Sequence, residues 1–315
     1  MKAFALTTPD KQAELVELPN PTAPDDGVLV RVRAASVNGF DVFQASGNLM
    51  SMMEHVLPTV IGRDFAGVIE AVGGSGPDFA VGDEVFGFVP GAPPLHDGTH
   101  AELLAAGPTV AIARKPAQLS FEQAAAIPLA GATALDSVAA VDVGPGDTVL
   151  VAGATGGVGS MAVELAARRG AKVIATAQAG AEEELVREMG ASDVVDYTAG
   201  DVAEAIRGRY PDGLTALIDT VNRDEDFARM AALVRDGGRV ATTLGAADVE
   251  ALASRNVRAT NVVGNPTAEK LALLAGQVAD GSLRCELQTT FPLSEVQEAL
   301  AAFTRGTRGK IVLTI

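Results

Sequence analysis

Residues that bind metals or form disulfides are scarce in this chain. Cys285 is the only cysteine among 315 residues, so neither an intrachain disulfide nor a multi-cysteine metal site can form. Tryptophan is absent, and tyrosine occurs only twice. The three histidines are irregularly spaced, and we expect them at the surface; they are His55, His96 and His100.

Positive charge and long apolar runs are also in short supply. The chain has 24 Lys and Arg against 40 Asp and Glu, a formal net charge of −16. A surface of this sign repels phosphate backbones and anionic lipid, which argues against nucleic-acid and membrane partners. No uninterrupted apolar run approaches the roughly 20 residues that span a bilayer. The first residues lack the apolar stretch of a signal peptide. We therefore expect a soluble, cytoplasmic protein.

The chain does have the balance of a globular protein, with 48% hydrophobic and 20% charged residues and a length that suits two domains. Up to about residue 115, short strands are broken by glycine and proline, with predicted strands at Val28–Ala34, Val60–Val72 and Val81–Val89 and little helix. From Asp147 onward, apolar strands alternate with helices. This pattern predicts an α/β fold with a doubly wound parallel sheet.

The predicted elements of the second half follow one another in strict alternation. The predicted strands are Thr148–Ala152, Lys172–Ala177, Asp193–Asp196, Ala216–Thr220, Arg239–Leu244 and Arg258–Val263. The predicted helices are Gly157–Arg169, Glu182–Met189, Val202–Arg207 and Asp226–Val234. Two further helices, Thr267–Ala279 and Ser294–Phe303, precede a terminal strand, Lys310–Ile315, which we expect to return to the first domain.

A glycine-rich turn joins the first of these strands to its helix. Gly156 lets the backbone approach a pyrophosphate, and Gly159 lets the helix pack close to the strand. Unpaired amides and the positive dipole at the helix start then hold the phosphates. Ala154 stands where the usual fingerprint has its first glycine, so the pattern is A-x-G-x-x-G. The predicted cofactor contacts in this turn are Ala154, Thr155, Gly156, Gly157 and Val158.

The end of the second strand favours NADPH as the cofactor. NAD sites place an acidic residue about 20 positions after the glycine turn, where it bonds the ribose hydroxyls. This strand instead ends Thr176-Ala-Gln178, and Gln178 leaves room for a 2′-phosphate, although NADH stays possible. We interpret the nearby Glu182–Glu184 as negative charge suited to a helix N-terminus, not as a selectivity device.

Four segments in order resemble the zinc-independent quinone oxidoreductase branch of the medium-chain dehydrogenase/reductase superfamily. They are Ala35-Ser-Val-Asn-Gly-Phe-Asp41, Gly62-Arg-Asp-Phe-Ala-Gly67, the nucleotide turn within Asp147–Gly159, and Gly309-Lys-Ile-Val-Leu313. The resemblance implies a Rossmann domain at residues 119–265, inserted in a GroES-like β-barrel catalytic domain at residues 1–118 and 266–315. It also implies a cofactor in the cleft between them, and a homodimer formed through edge pairing of the Arg258–Val263 strands.

The same resemblance bears on zinc. Zinc alcohol dehydrogenases have a Cys, a His and a Cys where this chain has Asn38, Arg63 and Leu129, none of which can replace those ligands. Their structural zinc lobe needs four cysteines. We therefore predict no metal site and no zinc.

The resemblance also implies further nucleotide contacts. Thr133 matches a threonine near the nicotinamide, while a hydroxyl that only faces its own helix is the alternative. Tyr197 and Arg305 match residues beside the 2′-phosphate, but the lysine expected after Gln178 is Ala179 here. The remaining predicted cofactor contacts are Val221, Leu244, Gly245 and Val263.

Without zinc, alcohol oxidation lacks its Lewis acid, so we predict hydride transfer from NADPH to a quinone or an α,β-unsaturated carbonyl. Asn38 is a candidate amide donor to the developing oxyanion, or alternatively braces its loop. Arg63 either steadies an anion or pairs with Asp64. Phe43 and Met53 are the predicted substrate contacts, Met53 within a stretch that forms either a pliable wall or ordinary core.

Two alternatives to the reductase remain open. Because the sequence shows no residue that is clearly a general acid, one alternative is a non-catalytic NADPH-binding sensor or structural protein. An enoyl-thioester reductase is the other alternative, although it needs a basic groove that the acidic composition disfavours.

Overall fold

The computed structural model describes residues 1–9 and 11–315, which fall into two compact units. Unit 1 contains residues 1–129, 266–282 and 287–315, and unit 2 contains residues 130–265 and 283–286. In chain order the strands are β1 (Lys2–Leu6), β2 (Glu14–Glu17), β3 (Val28–Ser36), β4 (Thr59–Val60), β5 (Asp64–Val72), β6 (Glu84–Phe88), β7 (Leu103–Ala106), β8 (Ala111–Arg114), β9 (Thr148–Ala152), β10 (Lys172–Thr176), β11 (Asp193–Val195), β12 (Leu214–Asp219), β13 (Val234–Thr242), β14 (Arg258–Asn261), β15 (Leu287–Pro292) and β16 (Lys310–Thr314).

The helices are α1 (Gly39–Ala45), α2 (Phe121–Ala126), α3 (Pro128–Val141), α4 (Gly157–Arg168), α5 (Ala181–Glu188), α6 (Val202–Arg209), α7 (Asp224–Ala231), α8 (Val249–Ala253), α9 (Ala268–Ala279) and α10 (Val296–Thr304). Short 3₁₀ turns cover Asn48–Ser51 and Leu293–Glu295. Within the described residues, no helix combines the length and apolar character needed to cross a membrane.

Unit 1 is built on two mostly antiparallel sheets. Three strands form the first sheet in the order β2-β1-β4, and the second runs β15-β16-β3-β5-β6-β8, with β7 also on β3. In β3, Val30 and Val32 face the core while Arg31 between them is exposed, which is the alternation the sequence shows. The terminal strand β16 pairs antiparallel with β3, so the tail does return to this unit.

Two predictions for unit 1 were wrong in detail. The predicted strand Val60–Val72 is interrupted, because Gly62 has a φ of +99° and a Cβ there would lie 2.3 Å from His100 Cδ2. The helix α1 was not predicted at all. It begins after Asn38, whose backbone N–H donates to Asp41 Oδ2 at 2.8 Å, so this pair of residues was the available helix-start signal.

Unit 2 is a six-stranded parallel sheet in the order β11-β10-β9-β12-β13-β14, with helices along the chain between its strands. The predicted α/β fold is confirmed. The helix predicted over Asp226–Val234 instead ends at Ala231, since Val234 is fully buried and pairs with Leu214 at the start of β13. Its core includes Leu150, Ile174, Leu217, Phe227 and Val240.

Candidate active site

The carboxyl ends of the parallel strands in unit 2 collect almost all predicted cofactor residues. Because every neighbouring pair in this sheet is parallel, these ends share one edge. Following the sheet order, the predicted residues there are Tyr197, Gln178, Ala154–Val158, Val221, Leu244 with Gly245, and Val263. In open parallel sheets, ligands bind outside this edge, at the point where the strand order reverses. Here that point lies between β9 and β12, where the glycine turn is.

The glycine turn is tight in the way that a pyrophosphate requires. Gly153 has a φ of +77°, and a Cβ on it would lie 2.5 Å from Val221 Cγ1. A Cβ on Gly159 would lie 2.0 Å from the carbonyl oxygen of Gly153, so only glycine allows this approach of α4 to β9. The left-handed residue is therefore Gly153, one position before Ala154, which explains how the turn tolerates alanine there.

The start of α4 presents its amides at the same edge. Gly156 is the N-cap, and the N–H groups of the first helical turn have no acceptor within the helix. Ala154 is fully buried and Thr155 is nearly so, and their packing into the protein holds the turn in place. The strand, the positive φ of Gly153 and the close packing of α4 against β9 all fit a bound dinucleotide phosphate.

Two of the predicted contacts lie elsewhere. Thr133 is buried on α3, where its carbonyl oxygen accepts from Ser137 Oγ at 2.7 Å. Arg305 belongs to unit 1, exposed at the end of α10. Arg305 is therefore described with unit 1, and its predicted contact with the 2′-phosphate stays a prediction.

Around Gln178, two carboxylates accept hydrogen bonds from three nearby donors. Glu182 Oε2 accepts from the Gln178 backbone N–H at 2.9 Å and from the Tyr197 hydroxyl at 3.2 Å. Asp196 Oδ2 accepts from the Ala179 backbone N–H at 3.2 Å. The pKa of Tyr197 is raised, mainly by burial and then by the charge of Glu182.

Unit 1 contains a buried polar cluster centred on Asp64. Its Oδ2 accepts from Ser36 Oγ at 2.7 Å and from Asn38 Nδ2 at 2.8 Å, and its Oδ1 accepts from the Leu129 backbone N–H at 3.0 Å. Lys310 Nζ lies 3.8 Å from this carboxylate. Burial raises the pKa of Asp64, and the Lys310 charge opposes that rise.

The amide of Asn38 is engaged at both ends. Its Nδ2 donates to Asp64, and its Oδ1 accepts from Lys310 Nζ at 2.5 Å. The same ammonium group donates to the Val37 carbonyl oxygen at 3.1 Å. These bonds suit the bracing role of Asn38, since Asp64 and Lys310 together hold its amide in one orientation.

Arg63 is buried in a neighbouring part of the cluster, 1% exposed. It donates to Gln44 Oε1 at 2.7 Å and to the carbonyl oxygens of Pro90 and Asp97, both at 3.3 Å, and it stacks over Phe40. The cation that accompanies Asp64 is Lys310 rather than Arg63.

Two buried groups in unit 1 have displaced pKa values. Burial raises the pKa of Asp41 to about 6, although the charge of Arg63 opposes the shift. Burial lowers the pKa of His100 to about 4. The expectation of surface histidines was wrong for His100, which is fully buried with its Nε2 3.4 Å from the Ser36 carbonyl oxygen.

Lys310 and Gln44 are members of the cluster that sequence reasoning missed. The sequence shows Lys310 as a charge at the start of an otherwise apolar strand, in the segment Gly309–Leu313. Its partner Asn38 lies 272 positions away, so the sequence does not show the pairing. Gln44 carried no signal, because it becomes buried only through the unpredicted helix α1.

The predicted substrate contacts lie on and after α1. Phe43 is 42% exposed, and Met53 is half-buried. The methionine-rich stretch Leu49–Met53 divides between two roles, since Leu49 is in the core and Met52 is 70% exposed.

Across residues 1–9 and 11–315, no three His, Cys, Asp or Glu side chains come together as a candidate metal site.

Comparison with known proteins identifies two family profiles in the chain. Residues 24–117 match the family described as "Alcohol dehydrogenase GroES-like domain", and residues 157–270 match "Zinc-binding dehydrogenase". A structure described as the quinone oxidoreductase from Coxiella burnetii superposes with a TM-score of 0.89 at 29% identity, covering 100% of this chain and 99% of that one.

Curated relatives agree with these profiles. The human protein named "NAD(P)H oxidoreductase RTN4IP1, mitochondrial" is 30% identical over 329 residues, covering 91% of this chain and 81% of that protein. The Arabidopsis thaliana "NADPH-dependent alkenal/one oxidoreductase, chloroplastic" is 32% identical over 230 residues, covering 72% of this chain. The chain spans only 57% of the length of that plant relative.

Removing the cation from the Asp64 cluster should destabilise the protein strongly. Lys310→Met leaves a buried carboxylate uncompensated, and we expect a loss of about 3–5 kcal/mol in the free energy of unfolding, measured with denaturant. A double-mutant cycle with Asp64→Asn should give a coupling of roughly 1–3 kcal/mol. Arg31→Met, which removes the exposed pair with Glu70, is the control and should cost no more than about 1 kcal/mol. Equal losses in both variants would show that the Lys310 charge is unimportant.

Asp41→Asn should change how stability depends on pH. The pKa of Asp41 is higher in the folded state, so its contribution to stability falls as pH rises from about 4 to about 6. His100, with a lowered pKa, has the opposite effect over nearly the same range, so the two offset each other in the parent. The variant keeps an acceptor for Asn38 and should gain up to ~3 kcal/mol relative to the parent over this range. Chemical unfolding at several pH values measures this, and parallel curves for the two proteins would contradict it.

Proposed function

Because the chain belongs to the medium-chain dehydrogenase/reductase superfamily, in its quinone oxidoreductase branch, we propose that it transfers hydride from NADPH to a quinone or an α,β-unsaturated carbonyl. The observation that carries the proposal is the approach of α4 to β9 at Gly159, at the reversal point of the sheet. That approach supports the proposal because the first amides of α4 would then be free to bind a dinucleotide phosphate. The names of the relatives agree with both classes of acceptor.

The residues of unit 2 would hold the dinucleotide along the strand ends. The amides of Gly157 and Val158 would bond the diphosphate, with Gly156 providing the close backbone approach, since its own N–H donates to the Gly153 carbonyl oxygen at 3.2 Å. Val221 and Leu244 would border the diphosphate on the other side of the reversal point. Asp219 Oδ1 accepts from the Val221 and Asn222 backbone N–H groups, at 3.0 and 2.8 Å, and so holds that loop in place. Bound NADPH supplies the hydride itself.

The residues of this chain contribute placement and electrostatics more than proton transfer. Hydride addition to an enone leaves negative charge on the carbonyl oxygen, and a proton must follow. Both tyrosine hydroxyls already donate to carboxylates, Tyr197 to Glu182 and Tyr210 to Asp193. Solvent is therefore the proposed proton source.

Asn38 and Arg63 are the proposed polar residues of the catalytic unit. With its amide shared between Asp64 and Lys310, Asn38 would act by keeping its loop in one geometry. Arg63 would contribute a fixed positive charge, since it is buried and held by Gln44. Phe43 and Met53 would provide apolar contact for the acceptor.

We propose that the reaction proceeds without zinc. The positions that carry the ligands in zinc-dependent relatives are Asn38, Arg63 and Leu129. An amide already held by a lysine, a guanidinium group and a leucine do not provide zinc ligands.

A homodimer and a cytoplasmic location complete the proposal. The strand β14 is the last of its sheet, so one side of its backbone has no strand partner within the sheet. Val263, just beyond it, is 86% exposed. Edge pairing of two copies would cover both features.

The proposed activity predicts that a naphthoquinone and a simple enone such as methyl vinyl ketone will oxidise NADPH. The loss of NADPH absorbance measures the rate. A metal chelator should leave the rate unchanged. Calorimetry in parallel separates binding from chemistry. Tight NADPH binding without turnover of a broad acceptor panel would favour a sensor, and no binding of either dinucleotide would refute the proposal.

The dimer predicts that Ala259→Pro yields monomers in light scattering. Val262 donates to the Thr242 carbonyl oxygen, so by strand alternation the Ala259 N–H points to the open edge. Proline there removes an outward donor and spares the ladder to β13. The thermal midpoint measured at low concentration should change little. A parent protein that is already monomeric would contradict the proposal.

A further inference from the structure

We propose that Glu182 is a specificity-determining residue that makes the chain accept NADH about as well as NADPH. The inference rests on the proposed dinucleotide site of unit 2 and concerns its adenosine end. It reverses the expectation drawn from sequence, in which Glu182–Glu184 served only the N-terminus of a helix.

In a Rossmann sheet the adenosine ribose lies at the carboxyl end of the second strand, about 20 residues after the glycine turn. In this chain that place is Ala177–Ala179, directly after β10. The residues that surround it are therefore those that meet either a free 2′-hydroxyl or a 2′-phosphate.

Three of the donors at this place are already held by carboxylates. A 2′-phosphate needs donors, and the backbone N–H of Gln178 and the hydroxyl of Tyr197 are two that the chain could offer. Both donate to Glu182 Oε2, at 2.9 and 3.2 Å. The next backbone N–H, that of Ala179, donates to Asp196 Oδ2 at 3.2 Å. Glu182, which is itself negatively charged, therefore already accepts the hydrogen bonds that a phosphate would need.

Charge and chemistry then separate the two cofactors. A 2′-phosphate carries between one and two negative charges, and it would meet Glu182 and Asp196 while competing for their donors. A free 2′-hydroxyl can instead donate to the Glu182 carboxylate, as it does to the acidic residue of NAD sites. The carboxylate reaches this place from the first turn of α5, held by the Gln178 amide, although the strand itself ends without an acid.

The test compares binding, without turnover, of NADPH and NADH to the parent and to Glu182→Gln. Nicotinamide fluorescence suits it, because the chain has no tryptophan to interfere. In the parent the two dissociation constants should agree within about tenfold. In the variant the ratio should move toward NADPH by tenfold or more, because one charge is lost and an amide donor is gained. Raising the salt concentration should reduce this shift, since the groups are partly exposed.

Two controls make the result specific. Glu184→Gln removes the same charge from the same helical turn, but Glu184 is exposed, and its ratio should stay within about threefold of the parent. Competition by adenosine 2′,5′-bisphosphate and adenosine 5′-monophosphate isolates the adenosine end. The affinity for the bisphosphate should increase only in the Glu182→Gln variant.

Several outcomes would overturn the inference. They are a parent that prefers NADPH by more than about a hundredfold, an unchanged ratio in Glu182→Gln, equal shifts in both variants, or a Glu182→Gln protein that binds neither dinucleotide. In the first three cases the proposed reductase activity would stand. A parent that binds neither dinucleotide would instead refute the proposed function itself.

Discussion

Asp64 is fully buried, and its charge has to be compensated by groups from separate segments of the chain. Ser36 and Asn38 approach from the end of β3, the Leu129 amide from the start of α3, and Lys310 from the terminal strand. An unpaired buried carboxylate is costly, so these segments are held together by one electrostatic requirement. The rest of the polar cluster follows from it, because Asn38 both bonds Asp64 and begins α1, which delivers Asp41 and Gln44.

In unit 2 the corresponding constraint is steric rather than electrostatic. The contact of Gly159 with the Gly153 carbonyl leaves no room for a side chain, and this allows α4 to start immediately beside the sheet. The amides at the helix start therefore face the edge where the strand order reverses. A scaffold of this kind provides phosphate binding through backbone groups, so the side chains around it are free to vary, as Ala154 does.

The acidic composition acquires a local meaning at that edge. A net charge of −16 has no direct bearing on the fold, but at the end of β10 it takes the form of Glu182 and Asp196 bonded to the groups beside the proposed ribose site. The choice between two cofactors that differ by one phosphate then depends on a few neutral donors and what they already hold. The proposed diphosphate site relies on backbone amides, so it would not be affected by this choice.

Residue patterns along the chain were enough to predict its local features, which are the alternation of strands and helices after Asp147, the glycine turn and the class of fold, because each depends on residues close together in the chain. They left α1 and the break at Gly62 undetected, since the positive φ of that glycine matters only against His100, which comes from a later segment. Three other features could be seen only in the folded chain: Lys310 accompanies Asp64, His100 is buried, and the hydroxyl of Tyr197 is bonded to Glu182. Periodicity in a sequence indicates which face of an element is buried, whereas the partner of a charge depends on which distant segment folds against it.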